Sequence, residues 1–374
     1  MLSIFKRSLA LLLAASLPVA AEIDPWQYNL TEGVTSVSQN VYGLHMFIFY
    51  ICCIIGVIVF GAMFVSMYLH RKSRGVEASQ FHESVKLELV WTIVPALILI
   101  GMAFPATKSL MEIYDTDNAE LDIIVTGHQW KWQYEYRGEG VSFFSNLSQK
   151  SKDQIYSADA KSDDYLLDVD NPLVIPTGTK VRFLVTAADV IHSWWVPELA
   201  VKRDAIPGYI NEAWTKVDEP GHFVGQCAEL CGKDHGFMPI EVKVVSPEEF
   251  ESWLGEKRAE AAAIAEAAKQ TFTIDQLLEE GKVVYDTYCA ACHQANGQGV
   301  PGAFPAIAGS PIAMGDVGLH MDRVLNGGVG MPPFGEQLTP VQSAAVITYQ
   351  RNAFGNNMGD IVQPVDVVQY QQGQ

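Results

Sequence analysis

Gln226-Cys227-Ala228-Glu229-Leu230-Cys231-Gly232-Lys233-Asp234-His235-Gly236-Phe237-Met238 sets two cysteines, a histidine and a methionine at C-x3-C-x3-H-x2-M spacing. A second histidine stands earlier, in Val190-Ile191-His192-Ser193-Trp194. Together they offer two thiolates, two imidazoles, a thioether and a possible backbone carbonyl. Soft sulfur with imidazole selects copper, and a weak axial methionine marks copper electron-transfer sites. One thiolate serves a mononuclear site, whereas two in one short loop can bridge two copper ions. A bridged pair spreads one electron over both metals, so little geometry changes on redox and transfer is fast. A plain disulfide would leave the adjoining His and Met idle, and structural zinc rarely recruits Met. His128 and His222 fall outside the tight cluster and read as structural histidines.

The sequence around this loop alternates with period two. Trp130-Lys131-Trp132-Gln133-Tyr134-Glu135-Tyr136, Lys180-Val181-Arg182-Phe183-Leu184-Val185 and Pro239-Ile240-Glu241-Val242-Lys243-Val244 each set apolar against polar residues. Such alternation means strands with one buried face. Turn formers separate them, as in Asp170-Asn171-Pro172, Pro176-Thr177-Gly178 and Pro207-Gly208. The expectation is an antiparallel β-sandwich or small barrel of about 120 residues, within 107–245.

Before it come three apolar runs. Lys6 and Arg7, then Leu9 to Leu17, then Pro18-Val19-Ala20-Ala21 have the order of a secretory signal peptide, residues 1–21. Met46 to Leu69 carries no charged residue and is long enough to cross ~30 Å of hydrocarbon. Leu89 to Phe104 follows, with Pro95 inside it; neighbouring groups can satisfy the carbonyl that a membrane proline frees. A transmembrane hairpin is expected within 22–106, with helices at about 44–69 and 87–106. Its connection holds His70, Arg71, Lys72 and Arg74, which places that turn in the cytoplasm and both tails outside. Cys52 and Cys53 read as packing residues of the first helix.

After the β-region, Ser246-Pro247-Glu248-Glu249 is an N-cap, a Pro at N1 and a Glu at N3. Ala259 to Lys269 lacks a wide apolar face, so 246–272 reads as a solvated helical linker. A second capped helix, from Thr273, runs into Cys289-Ala290-Ala291-Cys292-His293. C-x-x-C-H in an exported segment is the attachment site of c-type haem, with the histidine as proximal ligand. A thioredoxin-like motif is disfavoured by that His and by the missing βαβ pattern. Residues 358–374 read as a polar, unpacked tail.

Charge narrows the class. Forty-three acidic against 25 basic residues give a net charge of −18, which excludes a nucleic-acid binder and suits a basic protein partner. Six cysteines are too few for a disulfide scaffold at 374 residues.

Residues 22–245 resemble subunit II of the haem-copper cytochrome c oxidases. The segments that carry the resemblance are Gly127-His128-Gln129-Trp130, Ile191-His192-Ser193-Trp194, Asp204-Ala205-Ile206-Pro207-Gly208, the metal loop, and Glu88 with Trp91-Thr92-Ile93-Val94-Pro95. The resemblance implies a binuclear CuA centre on an all-β, cupredoxin-like Greek-key domain. It implies the ligands His192, Cys227, Cys231, His235, Met238 and the backbone carbonyl of Glu229, with the Glu229 side chain on a magnesium ion shared with subunit I. Trp130 would be the electron-accepting aromatic, and Glu88 the entrance of a proton path into subunit I. Lys131 departs from the aromatic found in many relatives. Quinol-oxidising relatives lack the copper ligands, which argues against a quinol donor.

Residues 273–357 look like an all-α class I cytochrome c domain. Gly297-Gln298-Gly299, Phe304-Pro305-Ala306-Ile307 and Gly327-Gly328-Val329-Gly330-Met331-Pro332-Pro333-Phe334 follow the attachment motif at the family's spacing. Met331 matches the axial thioether, in preference to Met314. The fusion resembles the cytochrome c-bearing subunit II of caa3-type oxidases, in the cytoplasmic membrane of a bacterium. That implies subunits I and III and a donor cytochrome c as partners. In this reading a donor reduces the haem, the haem reduces CuA, and the oxygen-reducing site lies on subunit I. The alternatives are a CuA and haem c subunit of a nitric oxide reductase, or a membrane-tethered copper-binding protein.

Overall fold

Helix α1 (Ser36–Leu69) opens on a capping box: the Ser38 N–H donates to Thr35 Oγ1 at 2.9 Å, and the Thr35 N–H donates back to Ser38 Oγ. The computed structural model describes residues 29–75, 77, 82–155, 157–158, 160–328, 330–335 and 337–372. The expected signal peptide, residues 1–21, lies outside them. The chain divides into two units between Leu254 and Gly255.

In the first unit, α1 and α2 (Val85–Ile113) are long and apolar enough to cross a membrane. Both outrun the apolar stretches that the sequence marks: α1 starts in the polar Ser36-Val37-Ser38-Gln39-Asn40, and α2 passes Pro105 to reach Ile113. At 1.5 Å per residue α1 is about 50 Å long, more than the hydrocarbon requires. The surplus is fastened by polar contacts. Asn40 Nδ2 donates to Glu112 Oε2 at 2.5 Å and Ser109 Oγ to Asn40 Oδ1 at 3.3 Å, which ties α1 to α2. The Val34 N–H donates to the Glu198 carbonyl and Trp214 Nε1 to the Glu112 carbonyl, both at 3.0 Å, which ties the hairpin to the β-region.

The β-region is a sandwich of two five-stranded sheets, ordered β3-β2-β1-β5-β8 and β4-β10-β9-β6-β7. The strands are β1 (Leu121–His128), β2 (Lys131–Tyr136), β3 (Val141–Ser145), β4 (Leu173–Pro176), β5 (Val181–Ala187), β6 (His192–Val196), β7 (Val201–Ala205), β8 (Asn211–Thr215), β9 (Gly221–Cys227) and β10 (Pro239–Val245). A short helix, α3 (Gln149–Ile155), lies between β3 and β4. The alternating faces close one core, with Val125, Trp132, Phe183, Trp194 and Val242 all fully buried. One expectation is corrected: the sheets are mixed, because β1 pairs parallel with β5 and β4 with β10. Alternation reports which face is buried, not the direction of the neighbouring strand.

A second correction concerns 246–272. Helix α4 (Pro247–Ala267) starts on the expected box, the Glu249 N–H donating to Ser246 Oγ and the Ser246 N–H to Glu249 Oε2. Its first turns are not solvated linker. Phe250 and Leu254 are buried in the sandwich core, and Trp253 lies against Tyr136 and Phe143. The i, i+3, i+4 stripe of Phe250, Trp253 and Leu254 carries that signal.

In the second unit, α5 (Ile274–Tyr288) and α8 (Pro340–Asn352) cross closely, each opening on a Thr-x-x-Gln capping box. The crossing needs glycine: a Cβ on Gly281 would lie 2.1 Å from the Ala345 carbonyl oxygen. Helices α6 (Ala290–His293) and α7 (Val317–Asn326) complete the bundle. The expected unpacked tail is instead helix α9 (Pro364–Gln372). Val362 and Val367 are buried, Tyr370 Oη donates to Asp322, and Gln363 and Phe272 hydrogen-bond in both directions at 2.9 Å. Three apolar anchors in a polar segment suffice to dock it.

Candidate metal and haem centres

Strands β6 and β9 are neighbours, with Trp194 opposite Cys227. His192 therefore opens β6 beside the loop that leaves β9, and the Ala228 N–H donates to the Ser193 carbonyl at 2.9 Å. The Cys227 N–H donates to the Met238 carbonyl at 3.0 Å, closing the loop at its base. Within it the two sulfurs stand 3.7 Å apart as free thiols. His192 Nδ1 is 3.9 Å from Cys227 Sγ and His235 Nδ1 is 3.5 Å from Cys231 Sγ. The Glu229 carbonyl oxygen is 3.4 Å from Cys227 Sγ, while the Glu229 side chain is exposed. His192, Cys227 and Cys231 form a metal-capable cluster, and Met238 is buried at the foot of the same loop.

Two residues that the motif does not announce shape this site. Asp189 Oδ1 accepts from His192 Nε2 at 2.9 Å, which leaves Nδ1 for the cluster. Gly127 lies against the His192 ring, where a Cβ would come within 2.8 Å of Cδ2. The charges of the cluster act on one another. Burial opposes the charged form of His192, but the Asp189 hydrogen bond and Cys227 outweigh it and raise the imidazole to about 9. Burial opposes the Cys227 thiolate too, yet hydrogen bonds from His192 and the backbone hold it at about 6. Burial and the Cys227 charge push Cys231 up to about 12. A bound cation removes that mutual repulsion, since metal binding displaces thiol protons. This buried, soft donor set fits copper.

Trp130 sits over the loop, its Nε1 donating to the Cys231 carbonyl at 3.1 Å beside Gln129 Nε2 at 2.8 Å. Lys131 turns instead to Phe144, with Nζ 4.6 Å from the ring centre. Glu88 is exposed in the first turn of α2. His222 pairs with Glu241 at 2.9 Å and His128 with Gln133 at 3.1 Å.

In the second unit a cavity of about 320 Å³ is lined by Cys289, Cys292, His293, Phe304, Met331 and Phe334, among others. His293 Nδ1 is 2.8 Å from the Pro305 carbonyl, so Nδ1 carries the proton and Nε2 keeps its lone pair as a ligand atom. Burial pushes the Cys289 thiol up to about 12. Met331 lines the cavity, whereas Met314 is 40% exposed and is not part of the lining. An apolar cleft with two thiols, an oriented imidazole and a thioether fits a haem. His320, Arg323 and Gln350 also line it, and no attachment motif marks them.

Residues 121–245 match the family described as cytochrome C oxidase subunit II, periplasmic domain, and residues 23–109 match its transmembrane domain. A probable cytochrome c oxidase subunit 2 of Rickettsia bellii is 39% identical over 255 residues, 68% of this chain and 93% of that protein. The chain belongs to the cytochrome c oxidase subunit II family. Residues 276–349 match the family described as cytochrome C oxidase, cbb3-type, subunit III, so this subunit II carries a C-terminal cytochrome c domain. The cytochrome c oxidase subunit 2 of Cereibacter sphaeroides is 34% identical, covering 65% of this chain and 84% of that one. The solved periplasmic domain of subunit II from Bradyrhizobium japonicum is 43% identical, covering 39% of this chain and 98% of that one, with a TM-score of 0.35. The chain is thus a membrane protein and a subunit of a cytochrome c oxidase. Its matched domains imply copper and haem. The comparisons favour this reading over the nitric oxide reductase and copper-binding alternatives.

Proposed function

We propose that the loop and His192 hold a binuclear CuA centre through His192 and His235 Nδ1, the sulfurs of Cys227 and Cys231, Met238 and the Glu229 carbonyl. The observation that carries this is the sulfur pair 3.7 Å apart, with one imidazole Nδ1 beside each sulfur. Cys289 and Cys292 would hold a haem c through its two thioether links, and His293 Nε2 and the Met331 thioether would ligate its iron. When bound, the two groups supply one-electron transfer from a donor towards the oxygen-reducing site of subunit I. The chain's own residues hold and orient. Asp189 fixes the His192 ring, and the Pro305 carbonyl fixes the His293 ring. Trp130, one hydrogen bond from a copper-ligating residue, would be the aromatic through which electrons enter the copper centre.

The exposed Glu229 side chain would help hold a magnesium ion shared with subunit I, and Glu88 would open a proton path there. The basic turn His70, Arg71, Lys72 and Arg74 lies on the cytoplasmic side of a bacterial inner membrane, and residues 1–21 export the chain. Both cofactor domains then face outward, with subunits I and III as membrane partners. The charge of −18 steers a basic donor cytochrome c. The β-domain extends to Leu254, since Phe250 and Leu254 complete its core. The test is oxygen consumption by the assembled oxidase carrying Cys227→Ser or Cys231→Ser. Turnover should be lost while covalent haem is retained; undiminished turnover in either variant overturns the assignment.

A further inference from the structure

Helix α9 lies beyond the matched cytochrome segment, which ends at residue 349. The chain is anchored just before and within it: the Val362 N–H donates to Thr348 Oγ1 at 3.0 Å, and Val362 and Val367 are buried. Its far end grips two segments that bracket Met331 in sequence. Tyr370 Oη donates to Asp322 Oδ1 on α7 at 3.1 Å, and Gln371 Nε2 donates to the Gly335 carbonyl at 3.1 Å. Those segments already meet. The Phe334 N–H donates to the Val324 carbonyl at 3.1 Å and the Gly335 N–H to the Leu325 carbonyl at 2.9 Å, which folds the loop back on α7. Gly328 and Met331 exchange a pair of backbone hydrogen bonds, both 2.9 Å. Only Pro332 and Pro333 stand between Met331 and Phe334, and proline rings fix φ. A shift at Phe334 or Gly335 is therefore passed to Met331 with little slack. Met331 and Phe334 both line the cavity.

Resting on the reading that Met331 ligates a haem in this cavity, we propose that Tyr370 and Gln371 are positioning residues. Through them α9 braces the loop that carries Met331 and keeps its thioether presented to the iron. The brace is separable from the core. Leu277, Tyr285, Val324 and Ile347 are buried on α5, α7 and α8, whereas Tyr370 is only partly buried and Gln371 is exposed. A loop that opens leaves the sixth iron position to an outside base. The apparent affinity of that base scales with the fraction of chains whose loop is open. Releasing the brace therefore raises that affinity, and it exposes the loop amides to exchange.

The test is imidazole titration of the ferric holo full-length chain. The sulfur-to-iron absorption band reports Met331 ligation, and hydrogen exchange reports the Phe334 and Gly335 amides. Tyr370→Ala combined with Gln371→Ala should bind imidazole about tenfold more tightly, equivalent to about 1.4 kcal/mol. One or two modest hydrogen bonds account for a change of that size. The band should disappear at correspondingly lower imidazole, and the two amides should exchange about tenfold faster. Tyr370→Phe, which keeps the ring and loses the hydroxyl that reaches Asp322, should move both readouts the same way by less. Gly281→Ala lowers stability at the α5–α8 crossing, against Ala345 and Tyr349, and should leave imidazole affinity within about twofold of wild type. Unchanged affinity and exchange in the double variant, or an equal gain of affinity in Gly281→Ala, overturns the inference. If the double variant does not fold, Tyr370→Phe decides by the same two readouts. A wild-type chain with covalent haem but no sulfur-to-iron band would instead remove the Met331 reading, while the exchange rates would still decide whether α9 braces the loop.

Discussion

Removing the Asp189 carboxylate should weaken copper binding without unfolding the β-domain. Its Oδ1 accepts from His192 Nε2 at 2.9 Å and from the Val190 N–H at 2.6 Å, and its Oδ2 accepts from the Gln129 N–H at 2.7 Å. The side chain is 34% exposed, so the two amides regain water once it is gone. The fully buried His192 ring does not; it loses the contact that keeps Nδ1 towards Cys227. A hydrogen bond to an ionised group contributes about 1.5–3 kcal/mol, which converts to roughly 10–100-fold in affinity. Loss of an outer-shell partner of a ligating histidine falls in the same range. The assay is copper titration of Asp189→Ala and Asp189→Asn against a competing chelator, with thermal unfolding of the copper-free proteins alongside. Asp189→Ala should bind about 10–100-fold more weakly, and Asp189→Asn, which keeps an acceptor oxygen, should lose less. Affinity within twofold of wild type in Asp189→Ala would refute the claim that this carboxylate orients the ligand.

Met331→Ala should abolish the sulfur-to-iron band and lower the haem potential, while Met314→Ala leaves both unchanged; equal effects from the two would contradict the cavity assignment. Gly281→Ala puts a Cβ 2.1 Å from the Ala345 carbonyl oxygen and should cost about 1–3 kcal/mol or more, read as a melting temperature lower by several degrees. Asp360 is held below its ordinary 3.8 by the hydrogen bond and charge of the buried Arg351. With the folded value below the unfolded one, the pair's contribution is complete above about pH 4 and fades as pH falls through the folded value. The stability gap between wild type and Asp360→Asn should therefore be flat near neutrality and shrink in strong acid; a gap undiminished at about pH 2 would contradict this.

What the sequence disclosed depended on how local the signal was. The metal loop packs four side-chain donors into residues 227–238, and the attachment motif packs three into 289–293, so both were legible as spacing. His192, 35 residues before the loop, could be counted as a donor but not placed by spacing; its position beside Cys227 follows from the β6–β9 pairing. The contacts of Asp189 and Gly127 with His192 were not legible: Gly127 meets the ring from another strand, and Asp189, though only three residues before His192, is marked by no spacing rule as its partner. The parallel pairs β1–β5 and β4–β10 were hidden because alternation is blind to strand direction. Phe250, Trp253 and Leu254 were passed over because the alanine- and charge-rich sequence after them reads as a linker, although their own spacing is helical and apolar. The C-terminal helix was obscured by its polar composition, although Val362 just before it and Val367 and Tyr370 within it pack against the domain. His320 escaped because a histidine inside a helix carries no spacing signal, and only the cavity shows that it belongs to the lining.

The central claim, two sulfur-bridged copper ions in the loop of residues 226–238, is tested most directly by metal content and electron paramagnetic resonance of the purified holo chain. Two coppers and one covalent haem per chain, with one unpaired electron coupled equally to both copper nuclei, are the expected result. A single copper with the spectrum of an isolated ion, or an unaltered spectrum in Cys231→Ser, would contradict it.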